Sequence, residues 1–131
     1  MPDANDPAAH TPHDLQPHDL RRMTQVLLAF RRERDWEQFH NPKDQFLSLV
    51  LEATELLELA QWRQGEALDA HLTEHADEVA DELADVLGWV LLIAADRKID
   101  LAEAFDRKMA MNVAKYPADK SRGRATKYDK L

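Results

Sequence analysis

Two segments within residues 47–89, LVLEATELLELAQW and DEVADELADVLGWV, carry apolar side chains at helical spacing, with acids set among them at matching places. The first holds Glu52 and Glu55, the second Glu82 and Asp85. Each pair is spaced i, i+3, so on a helix its two carboxylates share a face. Trp62 follows Glu55 by seven residues, and Trp89 follows Glu82 by seven. Seven residues is nearly two helical turns, so each indole is expected on the face of its acids. Packed antiparallel, two such helices would bring four carboxylates to one space walled by indole rings.

The remaining chain reads as further helices, and no segment reads as a strand. Asp19 is expected to cap a helix running to residue 34, with Leu20, Met23, Leu27 and Phe30 as its buried stripe. Arg21, Arg22, Arg31, Arg32 and Arg34 fall mostly away from that stripe. Asn41-Pro42 is a good helix start, Asn as cap and Pro at the first helical position, so residues 36–40 form a connector. The second helix is expected over residues 42–63, stopping near Gly65. Its apolar stripe, Phe46 to Ala60, is wide enough to imply burial on more than one side. Residues 66–72 read as a loop or a short helical turn. Thr73 is expected to cap a third helix reaching residue 96. Asp100 and Glu103 are spaced as a capping-box variant for a fourth helix over residues 101–116, which Pro117 ends. The expectation is an all-α, four-helix-bundle-like domain over residues 19–117.

Both ends differ from this middle. Residues 1–18 carry four prolines and little apolar bulk, which predicts a flexible arm. His10, His13 and His18 lie there with no ordered frame to make them metal ligands. Residues 118–131 change sign, with Lys120, Arg122, Arg124, Lys127 and Lys130 against Asp119 and Asp129. This basic tail is either a solvated end or a segment that folds back over an anionic ligand or a partner subunit.

Composition removes several function classes. No cysteine is present, which excludes disulfides, thiol catalysis and Cys-ligated zinc. The formal charge of −8 argues against a general affinity for nucleic acid. No apolar run approaches the ~20 residues of a membrane helix, and the N-terminus lacks the charged-then-apolar pattern expected of a secretory leader. A cytoplasmic protein with no membrane partner is expected.

Four carboxylates without cysteine suit a hard cation such as magnesium, with manganese as a substitute. Assembled without a cation, four anions would repel one another at the cost of several kcal/mol. Glu66, Glu74, Asp77 and Glu103 read instead as ordinary surface acids. A di-iron bundle would need Glu-x-x-His on two helices. Only Glu37-x-x-His40 has that spacing, and it lies in the connector. Trp36, Trp62 and Trp89 are all the tryptophans of the chain. Indoles stack on nucleobases, so three of them near one acid cluster would favour a base pocket over simple core packing. His40 and Gln38 are candidates to hydrogen-bond a base edge. Lys108, Asn112, Lys115 and Tyr116 share one side of the fourth helix, either toward phosphates or as its outer face.

The strings DWEQFHNPKDQFLSLVLEATELLELAQW, DELADVLGWV and KMAMNVAKYP resemble the MazG-like all-α nucleoside triphosphate pyrophosphohydrolases, and among them the dCTP pyrophosphatase branch. The likeness runs over residues 32–117. It implies that Glu52, Glu55, Glu82 and Asp85 bind magnesium and serve catalysis. It also implies that a nucleoside triphosphate is cleaved between its α- and β-phosphates, in keeping a nucleotide pool clean. Trp36 and Trp62 would enclose the base, Trp89 would approach the nucleotide, and Lys108 and Asn112 would lie near the triphosphate. A homodimer or homotetramer is implied, its subunit interface completing the pocket. Two positions depart from the branch: Trp89 stands for a usual Tyr, and Leu27 for a His near the base. Both bear on base preference. The alternative is a helical binding or scaffold protein that keeps the fold without catalysis.

Overall fold

The computed structural model of the protein describes residues 17–130. Up to residue 16 the expected arm, with His10 and His13, lies outside the described residues. The described residues are helical or irregular, without a strand, and divide into two compact units, Met1–Ala95 and Asp96–Leu131.

The first unit holds α1 (Pro17–Glu33), a 3-10 turn (Glu37–Phe39), α2 (Pro42–Glu58), α3 (Gly65–Glu74) and α4 (Ala76–Asp96), whose last residue crosses the boundary. Helix α1 begins two residues before Asp19, which sits in the first turn instead of capping it. There its charge still faces the positive end of the helix, while Arg31 and Arg32 occupy the negative end. Helix α2 starts where Asn41-Pro42 places it. The Asn41 side-chain oxygen accepts from the Asp44 amide at 2.9 Å, satisfying one of the first-turn N–H groups.

The end of α2 differs from expectation. The helix stops at Glu58 instead of residue 63 because its hydrogen bonds tighten: Leu59 N–H reaches Leu56 O at 3.3 Å, and Ala60 N–H reaches Leu57 O at 2.9 Å. Such i→i−3 bonds are the usual way a helix closes. Gly65 does not end a helix but opens one. Its φ of +54° turns the chain through the left-handed region, and α3 covers residues 66–72, where a loop or a short helical turn was expected. Thr73 is inside α3 and donates its hydroxyl to Asp69 O at 2.8 Å, so it caps nothing. Helix α4 follows α3 after the single residue His75, whose amide and Nδ1 both reach His71 O at 2.9 Å.

The first unit's buried centre is small: Leu91, Leu92 and Ala94 of α4, with Arg31 and Gln45. Phe46, Val50 and Leu57 of the expected α2 stripe are more than half exposed, as is Leu83 of α4. Phe30, expected in the buried stripe of α1, is 45% exposed, whereas Arg31 beside it is 6% exposed.

The second unit holds α5 (Leu101–Lys115), α6 (Ala118–Ser121) and a 3-10 turn (Tyr128–Lys130). The Asp100 side chain accepts from Glu103 N–H at 3.1 Å, the cap read from the sequence. The basic tail folds onto the end of α5. Tyr128 meets Tyr116 edge to face at 6.0 Å, and Lys115 Nζ lies 5.0 Å from the Tyr128 ring centre. Among the described residues no helix is long and apolar enough to cross a membrane.

Candidate active site

Helices α2 and α4 bring the acids of the first unit together. Glu52, Glu82 and Asp85 each offer a carboxylate oxygen, and the three oxygens lie within 4.8 Å of one another. Glu55 stands beside them, its charge acting on both Glu52 and Glu82. Glu52 faces Asp85 and Trp89, while Glu55, further along α2, faces the earlier Glu82. Rising numbers on α2 meet falling numbers on α4, so the pair is antiparallel.

These carboxylates are electrostatically strained. Burial, followed by the charges of Glu55 and Asp85, pushes the Glu52 carboxyl above its ordinary value. The nearby Trp89 indole donor pulls it partly back. Burial also raises Glu82, reinforced by Glu55, Asp85 and Glu52. Glu82 Oε2 is buried with no protein hydrogen-bond partner, an unfavourable condition for a charged group. An orphaned buried oxygen among hard, mutually repelling donors is what a divalent cation satisfies.

Next to the acids, a cavity of about 230 Å³ opens between α1, the connector and α4. Leu27, Arg31, Trp36, His40, Asp85 and Trp89 are among its lining residues. His40 tilts against Trp89 with ring centres 5.2 Å apart, and its Nδ1 lies 3.3 Å from Arg31 NH1. Arginine only donates, so Nδ1 accepts and the imidazole carries its proton on Nε2. The connector is shaped by Asp35, whose φ of +53° is unusual for a residue with a side chain. Gln38 Nε2 secures that turn, donating to Asp35 O at 2.9 Å and Oδ2 at 3.0 Å. Gln38 is therefore committed to the turn and does not line the cavity.

The sequence-derived site residues thus divide. Glu52, Glu82 and Asp85 converge with Glu55 at their side, and Trp36, His40 and Trp89 line the adjoining cavity. Trp62 is 82% exposed on the turn after α2 and is not among the lining residues. Lys108, Asn112 and Tyr116 belong to the second unit, where Tyr116 N–H bonds Asn112 O at 2.9 Å. Sequence reasoning missed Arg31, Ala84 and Gly88. A signal existed for each: Arg31 lies one turn beyond Leu27, and Ala84 with Gly88 are small residues one turn apart on α4. Small residues there leave room between α1 and α4.

The MazG-like family model matches residues 47–131. The chain belongs to the MazG-like family. This MazG-like chain is 40% identical over 115 residues to dCTP pyrophosphatase 1 of Bos taurus, covering 86% of its own length and 66% of that protein. It is 39% identical over 132 residues to the Rattus norvegicus protein of the same name, covering 96% and 76% respectively. It therefore spans about two thirds to three quarters of the length of these relatives. Its fold is similar to that of a crystallised pyrophosphatase from Archaeoglobus fulgidus, with a TM-score of 0.73 at 34% identity over 79% of this chain and 97% of that one. Family and relatives support one enzyme class, nucleotide pyrophosphohydrolase.

Proposed function

We propose that this MazG-like protein is a magnesium-dependent nucleoside triphosphate pyrophosphohydrolase that acts on dCTP-like pyrimidine nucleotides, releasing the monophosphate and pyrophosphate. One observation carries the reading: Asp85 belongs both to the acid cluster and to the wall of the aromatic cavity. A single nucleotide can then place its base against Trp36 and Trp89 and its phosphates toward the acids. The cytosine preference is taken from the relatives named dCTP pyrophosphatase 1.

Glu52, Glu82 and Asp85 would hold the cation, with Glu55 completing the set. Magnesium, when bound, supplies the positive charge that offsets the triphosphate and the departing pyrophosphate. Glu55 has a second role, orienting a water for in-line attack at the α-phosphorus and accepting its proton. The bond from that water to phosphorus forms as the α–β bridging bond breaks. Lys108, Asn112 and Tyr116 of α5 are assigned to the phosphates and Trp62 to the base. The exposed Phe46, Val50 and Leu57 support assembly as a homodimer or homotetramer.

The test is pyrophosphate release from a panel of canonical and 5-substituted triphosphates, with and without magnesium. Release is expected with the cation only, greatest for cytosine nucleotides. Asp85→Asn should reduce turnover by about a hundredfold or more, the loss of several kcal/mol of charge stabilisation. No cleavage of any triphosphate would instead favour a scaffold that kept only the fold.

A further inference from the structure

Helix α3 ends in a pair of imidazoles that the proposed hydrolysis does not use. His71 lies in its last turn, and His75 is the single residue between α3 and α4. They are spaced i, i+4, the separation at which helical neighbours share a face. Their ring centres are 4.1 Å apart, with the planes inclined by 35°. Both residues are half-buried, so solvent and its ions reach them.

Hydrogen bonding decides what each ring can offer. His75 Nδ1 lies 2.9 Å from His71 O. A carbonyl only accepts, so Nδ1 carries the proton and the Nε2 lone pair of the neutral ring stays uncommitted. Among the described residues neither ring nitrogen of His71 has a hydrogen-bond partner. Burial, followed by the charges of Arg63 and His75, holds His71 below its ordinary value against the pull of Glu74 and Glu78. At neutral pH its imidazole is therefore uncharged, the form that binds metals.

We propose that His71 and His75 together chelate a late first-row divalent ion, of the nickel, copper or zinc class, which clips the end of α3 to the corner leading into α4. Imidazole suits these ions, whereas the carboxylates on α2 and α4 suit magnesium. Two histidines at i, i+4 on one helix face are a recurrent ligand pair. A bond from Nδ1–H to a backbone carbonyl is a common way to fix the tautomer and aim of a ligating histidine. Metal–nitrogen bonds of about 2.0–2.1 Å are reached from this spacing by side-chain rotation, without moving the backbone. No third side-chain ligand completes a group there among the described residues, so water fills the remaining positions. Glu74 and Glu78 supply negative charge nearby, and Arg63 opposes it. The element that gains is short: α3 has ten residues, below the ~12–15 at which even an isolated helix is marginal. The site is independent of the hydrolase reading.

The test titrates zinc, then nickel, into the full chain by calorimetry, with magnesium in excess to engage the acid cluster. Every sample carries His10→Ala, His13→Ala and His18→Ala, so that the imidazoles of the arm take no part. One equivalent of either ion should bind, and His71→Gln or His75→Gln should each weaken it by about tenfold or more. Zinc should raise the melting temperature of the parent chain and of neither variant. Should His75→Gln fail to fold for want of its bond to His71 O, His71→Gln breaks no side-chain hydrogen bond and gives the same reading. Binding that persists undiminished in a folded variant overturns the proposal. So does uptake of zinc and nickel only by displacing magnesium, or no uptake of either. The imidazole pair is then a cap for the end of α3 and nothing more.

Discussion

The Trp89 indole donor lies close to the Glu52 carboxylate across the seam between α2 and α4 and lowers its pKa. The donor favours the charged form of an acid that its surroundings push toward protonation. A metal ligand must be deprotonated, and partners that orient ligands tune affinity. Trp89→Phe keeps an aromatic ring against His40 but removes the donor. Magnesium affinity should weaken by roughly ten- to a hundredfold, measured by calorimetric titration. Unchanged affinity would show that the indole serves the cavity alone.

Glu82 ties stability to pH. Its folded-state pKa lies above the ordinary 4.5, so the folded state retains a proton that the unfolded state has released. Metal-free stability is then lost as pH rises from about 4.5 through the raised value. Glu82→Gln removes this group and its repulsion of Glu52. In chelator the variant should match wild type below pH 4.5 and melt a few degrees higher above the window. Magnesium should reverse the order, because it stabilises only the chain with an intact cluster. Thermal melts at several pH values, with chelator and with magnesium, test both halves.

Trp62 has almost no packing to lose. Trp62→Ala should leave the melting temperature within about 3 °C of wild type. If the ring stacks on a base, KM should rise about tenfold with kcat little changed. A fall in kcat at constant KM would move Trp62 from binding toward the chemical step.

Gly88 lies in the middle of α4, where glycine costs up to about 1 kcal/mol relative to alanine. A β-carbon there would meet Leu27 Cδ2 at 3.8 Å, ordinary van der Waals contact. Gly88→Ala should therefore raise the melting temperature by a few degrees. A lower melting temperature would mean that α1 needs the space.

Local signals in the sequence located two helix starts and missed two, since Asp19 lies inside the first turn of α1 and Thr73 inside α3. Asn41-Pro42 and Asp100 act through atoms two or three residues away, and both caps form as read. The helix end at Glu58 depends on tightening of the last turn, which apolar periodicity does not record, because Leu59 and Ala60 continue the pattern while the hydrogen bonds change. This one miss explains another. Seven residues from Glu82 to Trp89 stay inside α4, so the shared face holds. Seven residues from Glu55 to Trp62 run off the end of α2, and the helical phase is lost. Helix α3 is hidden in the sequence because Gly65 reads as a stop. Its φ of +54° makes it a corner instead, after which Ala67, Leu68 and Ala70 favour helix. Arg31 escaped notice because charge outweighed position: an arginine beside an apolar stripe reads as surface until it is seen buried in a cavity wall.

The break after Glu58 also separates two kinds of variation. Residues within α2 are phase-locked, so inserting one before Glu52 would swing its carboxylate by about 100° away from α4. Residues between Glu58 and Gly65 carry no such lock. That stretch could be lengthened, shortened or retwisted, carrying the Trp62 ring elsewhere while the acids stay in register. A change there would alter the surroundings of the acid cluster and leave its geometry intact.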